Sequence, residues 1–176
     1  MQLRDYALGL LGTESLDERL AAPPPALVDD VPGPALRVAA PARTSALTPR
    51  SGVKVPPLAG MPDPQQRLRI VHAFVNHEVQ AVELFAWALL AFPTAPAAFR
   101  RGLLATLADE QRHARLYLSW LEARGATFGQ WPVSDWFWAR MDDVSTPLEF
   151  VCAMALTFEN ANLDHTLDFA AAARAC

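Results

Sequence analysis

Cysteine is scarce in this sequence. Cys152 and Cys176 are the only two among 176 residues. Two thiols make neither a disulfide framework nor a four-thiolate zinc site, so a reduced, cytoplasmic setting is the expectation. Charged residues are few as well, at 19%, and no basic run occurs. With 15 basic against 19 acidic residues the net charge is -4, which argues against a nucleic-acid groove on bulk charge. Long apolar runs are missing too. The longest uncharged stretch near the middle, residues 84–99, is cut by Pro93 and Pro96, so no segment is expected to span a membrane. The apolar run 6–11 is too short for a secretory signal. What is abundant is hydrophobic residue, 52% of the chain, enough for one domain with a sizeable core.

Proline is unevenly placed. Eleven of the 15 prolines fall in residues 1–64 and four in residues 65–176. The imbalance predicts a proline-rich arm over residues 1–65 and a helical body over residues 66–176. Two short helices are expected at the start of the arm, over 3–11 and 15–21. Ser15 is the N-cap of the second, with Glu18 at the capping-box position. Beyond them the prolines forbid long helices and central strands. Yet Leu27, Val28, Leu36, Val38, Val53, Val55 and Leu58 punctuate the stretch. A pure linker is poorer in such residues, so the arm is expected to lie extended along the body.

The body reads as three long helices. The first covers 67–92, without proline or glycine. Pro96 suits the first position of a second, over 97–124, and Gly125 suits its C′ stop. Thr146, Pro147 and Glu149 mark the start of a third, running towards Arg174. Trp131, Trp136, Phe137 and Trp138 crowd the connection between the second and third; a hydrophobic plug over one end of the bundle is expected there, a substrate lid being the alternative. Long helices without a strand signal predict an antiparallel bundle.

Helical periodicity places a carboxylate on the apolar face of each helix. On the first, Glu78 lies among Val71, Phe74, Val75, Ala81, Val82, Phe85 and Leu89. On the second, Glu110 and His113, three apart, share a face with Leu103, Leu107 and Tyr117. On the third, Glu159 is centred among Cys152, Ala155, Leu156 and Leu163. Glu78 precedes Phe92 by 14 residues, and Glu110 follows Pro96 by 14. At about 1.5 Å per residue, both sit about 21 Å from the turn, level with each other across an antiparallel pair. Glu83 sits about 7 Å off that level. Its face carries Asn76, Gln80 and Trp87, which suits a boundary position. His72, His77 and His165 are expected on helix surfaces or behind the ligands.

A Glu facing a Glu-x-x-His is half of a di-metal carboxylate site. Hard carboxylate oxygens with an imidazole nitrogen suit iron or manganese. The bland alternatives are a solvated Glu110–His113 pair, and a protonated Glu78 hydrogen-bonded to Tyr117 or Thr106.

The segment from His77 to Leu90, HEVQAVELFAWALL, resembles the first bundle helix of an uncharacterised ferritin-like family, the domain of unknown function 455 family. The segment 108–113, ADEQRH, resembles its second helix, and 157–165, TFENANLDH, its third. The arm motif 55–61, VPPLAGM, is similar to that family as well. The resemblance implies a ferritin-like bundle with a non-haem di-metal site of oxidoreductase or hydroxylase ancestry, held by Glu78, Glu110, His113 and Glu159. It also implies a fourth helix with a second Glu-x-x-His, near position 190. No such motif follows Glu159, so three of four core helices are expected here, with a partial site. An open apolar groove lined by Phe74, Phe85, Leu156 and Leu163, and self-association through it, follow from that expectation. The alternative to a metal-dependent enzyme is a non-enzymatic helical scaffold or an inactive gene fragment.

Overall fold

The computed structural model describes residues 1–154 and 160–174, with the side chains of residues 160–165 outside that description. The described residues form α1 (Leu3–Gly12), α2 (Leu16–Leu20), α3 (Pro64–Ala91), α4 (Ala97–Glu122), α5 (Pro147–Val151) and α6 (Asn160–Arg174). Short 3-10 turns lie at Ser45–Leu47, Leu58–Gly60 and Trp138–Asp143. The architecture is all-α. Among the described residues, β pairing is confined to one isolated bridge between Gln2 and Val28. No helix among them is long and apolar enough to cross a membrane.

The helix ends follow local chemistry. Asp63 caps α3 by accepting the Gln66 N–H at 2.9 Å, and Pro64 fills the first turn, where no N–H is needed. The exit from α4 is a Schellman turn. The Ala126 N–H reaches the Leu121 carbonyl at 3.1 Å and the Gly125 N–H reaches that of Glu122 at 3.0 Å. Gly125 takes the left-handed φ of 72° that this turn requires. At the start of α2, Ser15 accepts the Glu18 N–H, but the Glu18 carboxylate accepts from the Thr13 hydroxyl. Only half of the expected capping box forms there. The complete box is at α5, between Thr146 and Glu149. The third helix of the body is seen as α5, a π-type turn through Met154, and α6, with 155–159 outside the described residues.

α3 is the centre of the molecule. Every residue from Val82 to Phe92 is buried, because the helix is covered on several sides. α4 covers one face. α1 covers another with Leu3, Tyr6, Ala7, Leu10 and Leu11, a stripe at helical spacing. The core is therefore shared between the N-terminal segment and the body.

The third covering changes the sequence-based picture. His72, Asn76, Gln80 and Glu83 lie along one flank of α3, and all four are buried. The connection 126–146 crosses that flank. The Gly129 N–H donates to His72 Nε2 at 3.0 Å, and Asn76 Nδ2 donates to the Ser134 carbonyl at 3.1 Å. The Phe137 N–H donates to Gln80 Oε1 at 3.3 Å, and Trp138 Nε1 donates to Glu83 at 2.9 Å. The face expected at a boundary is thus sealed by a polar ladder, since buried polar groups need partners. His72 is correspondingly no surface histidine. It is packed against Phe128 and Trp131, and burial lowers its pKa to about 4. The aromatic cluster also lies elsewhere than expected, along the middle of α3 rather than over an end of the bundle.

Arginines fasten the arm. Its prolines have no N–H to donate but keep their carbonyls. Arg4 donates to the carbonyls of Pro32 and Pro34. Arg37 donates to Val144 and Ser145 and lies over the rings of Trp87 and Phe92. Arg100 of α4 pairs through two nitrogens with Asp29, each contact 2.7 Å, and also donates to the Leu89 and Phe92 carbonyls.

Candidate metal centre

Glu78 projects from α3, and Glu110 and His113 project from α4, at one level of the antiparallel pair. One ligand atom from each of the three lies within 4.8 Å of the other two. His113 Nδ1 stands 3.2 Å from the Glu110 carboxylate and 3.7 Å from that of Glu78. The equal 14-residue distance from the turn is the cause: two helices of one pitch, leaving one turn, bring equal steps to equal height.

Exposure grades across the cluster. The Glu110 side chain is 8% exposed, Glu78 21% and His113 44%. The site therefore has a dry side against the core and an open side at the imidazole. Tyr117, one turn beyond His113, belongs to the same neighbourhood. Burial raises its pKa, and the negative charges of Glu78 and Glu110 raise it further. The Thr106 hydroxyl donates to the Gly102 carbonyl at 3.2 Å. Phe74 forms the apolar border, tilted against Tyr117 at 5.5 Å and edge-on to Phe169 of α6 at 4.9 Å.

Phe85, expected to line an open groove, is buried, with Phe150 against it at 5.7 Å. Leu156 and Leu163 lie outside the described side chains, and so do Glu159 and His165.

Glu83 answers which glutamate of α3 joins the cluster. It does not. It is fully buried in a separate ion-pair group, 3.1 Å from Arg19 Nη1, with Arg43 on its other oxygen. Arg19 is itself fully buried and also donates to the carbonyls of Leu10, Thr13 and Ala42. The boundary expectation for Glu83 fails because its cations come from the arm, 64 and 40 residues away in sequence. Gln111, next to Glu110, was also missed. Fully buried, it donates to the Tyr6 hydroxyl and the Arg19 carbonyl, tying α1 and α2 to α4. Its position one residue beyond the Glu-x-x-His glutamate was the only signal available.

A family described as "Protein of unknown function (DUF455)" matches residues 12–175. The chain belongs to this family. The match takes in α2 through α6, including the Glu78–Glu110–His113 cluster and both arginines that hold Glu83. No curated protein and no solved structure matches the chain. Membership in the DUF455 family therefore supplies a grouping without a reaction, and any chemistry has to be argued from the residues themselves.

The donor set suits a metal. Two carboxylates and one imidazole, converging from two helices, are hard oxygen and borderline nitrogen donors of the kind that iron and manganese accept. Glu110 is a carboxylate withdrawn from water, and among the described residues His113 is the nitrogen base beside it, so a cation between them would compensate its charge.

Proposed function

We propose that this protein is a ferritin-like metal-carboxylate protein that holds iron or manganese through Glu78, Glu110 and His113. The observation that carries the reading is the convergence of these three donors within 4.8 Å, on the antiparallel pair that ferritin-like bundles use for the same purpose. Three donors hold one ion. A second ion would draw on Glu159, the fourth ligand of this reading, making the centre a di-metal one. Such a metal would supply redox chemistry with O₂, the basis of an oxidoreductase or hydroxylase ancestry. The chain's own contribution is to fix the carboxylates, keep water from the Glu110 side and leave the His113 side open to a substrate. Self-association belongs to the same reading, supported by Leu116, Leu148 and Leu167, which stand well exposed.

The test is elemental analysis of the chain purified without chelator, beside Glu110→Ala. Iron or manganese retained by the wild type and lost from the variant supports the reading. Equal metal in both refutes it. A second reading has its own observation. His113 Nδ1 stands within ion-pair distance of both carboxylates, a contact that a non-enzymatic helical scaffold would also make. It predicts that the purified chain carries no metal.

A further inference from the structure

A second concave site opens on the opposite flank of α3. Asn76 and Glu78 are two residues apart, so their side chains leave the helix roughly 160° from each other. The Asn76 side forms the floor of a pocket of about 260 Å³. One wall is the arm segment 50–55, held in place by the Arg50 N–H on the Val133 carbonyl at 2.9 Å. The opposite wall is the segment 131–134, tied to the floor by Asn76. Arg69 braces the mouth by donating to the Lys54 carbonyl at 3.1 Å.

The chemistry of this pocket is one-sided. Arg50, Lys54 and Arg69 line it, and no carboxylate does, in a chain whose net charge is -4. Unlike Arg19, Arg43 and Arg100, these three have no acidic partner among the ion pairs of the described residues. Two guanidinium forks and one ammonium around a single opening match a compact dianion better than a carboxylate, and guanidinium planes bind phosphate oxygens in pairs. Trp131, Pro132 and Val133 add an apolar wall, so the pocket has a place for a carbon body beside the charge.

We propose that this pocket binds a small phosphate-bearing molecule, with Arg50, Lys54 and Arg69 on the phosphate and Trp131 beside its body. The site is independent of the metal reading, because it shares no residue with the Glu78–Glu110–His113 cluster.

Isothermal titration calorimetry of the chelator-treated 176-residue chain tests it, with inorganic phosphate, phenyl phosphate and phenol as probes. Binding of the phosphates and not of phenol is expected. Tighter phenyl phosphate identifies an organic ligand, and tighter inorganic phosphate identifies the free ion. Lys54→Gln and the double variant Arg50→Gln/Arg69→Gln should each weaken binding, by about tenfold per lost charge. Arg101→Gln, an exposed change on α4, should leave it unaltered, and so should Glu110→Ala. The unfolding midpoint of each variant confirms that it is folded. No heat with either phosphate overturns the proposal, and so does unchanged affinity in both Lys54→Gln and the double variant. Loss of binding in a folded Glu110→Ala alone would show that these three cations do not hold the anion and overturn it equally.

Discussion

Removing the carboxylate of Glu83 should destabilise the protein more than removing any exposed acid. The side chains of Arg19 and Glu83 have no exposure, and Arg43 joins them from the arm. Glu83→Ala leaves two guanidinium groups side by side with no anion between them. Burial already pulls the Arg19 pKa down from its ordinary value and Glu83 holds it up, so the variant removes the one favourable charge. Breaking a buried pair in this way costs about 3–5 kcal/mol. Arg19 keeps the carbonyls of Leu10, Thr13 and Ala42, which places the charge effect near the lower end. The orphaned Trp138 indole adds about 1 kcal/mol. The sum is about 4 kcal/mol, a large share of an ordinary stability of about 5–15 kcal/mol. For a chain of this length it amounts to a fall in Tm of roughly 10 °C. Urea unfolding followed by tryptophan fluorescence and circular dichroism measures it. Asp109→Ala, in the exposed pair with Arg112, is the control, with an expected loss below about 1 kcal/mol. If Glu83→Ala unfolds within about 1 kcal/mol of the wild type, the buried triad is not what holds the arm.

Three further outcomes follow. Because the His72 pKa in the folded chain is about 4, below the unfolded value, acid favours the unfolded state; the contribution is intact above about pH 6.5 and falls by roughly 2 kcal/mol by pH 5. His72→Gln, which still accepts the Gly129 N–H, should flatten that slope in urea titrations at stepped pH, and an unchanged slope counts against it. Arg100→Ala should cost about 2–3 kcal/mol, since it orphans Asp29 and two carbonyls at the α3–α4 turn, whereas Arg101→Ala should be near neutral by the same unfolding assay. Tyr117 should report on the metal: its pKa is raised by burial and by Glu78 and Glu110, so Mn²⁺ between those carboxylates, or Glu110→Gln, should lower it in an ultraviolet absorbance titration of tyrosine. Metal that binds without moving Tyr117 lies elsewhere.

Helix starts and stops were legible because they are written in adjacent residues. Gly125 and Thr146-Pro147-x-Glu149 are contacts within four positions, and each acts where expected; Pro96 acts one place earlier, as the N-cap of α4, and the Asp63-Pro64 start of α3, three residues ahead of the expected one, was missed. The meeting of Glu78 with Glu110 and His113 was legible for a related reason: it needs only helix pitch and a short turn. The flank of α3 was not. His72, Asn76, Gln80 and Glu83 are polar, and periodicity assigns a polar stripe to water. Their burial depends on the connection 126–146 returning some 55 residues later, and on Arg19 and Arg43 arriving from the arm. No local pattern encodes those arrivals. The same blindness misplaced the tryptophan cluster, whose partners are that stripe.

The two glutamates of α3 show how one helix divides its charges between structure and chemistry. Glu83 meets two guanidinium groups that cannot lose their protons, so its charge is compensated at every working pH. Glu78 meets a second carboxylate and one imidazole, which is a cation only when protonated. On the Glu83 side the surplus is positive and sealed by the arm. On the Glu78 side two carboxylates meet one imidazole, and the group is open at His113. The first arrangement compensates a buried charge, whereas two carboxylates brought together raise each other's cost, which a bound cation would relieve. Under the proposed reading, the two carboxylates are the place where a bound cation would sit. That asymmetry, five residues apart on one helix, is the strongest physical reason to look for metal at Glu78 and not at Glu83.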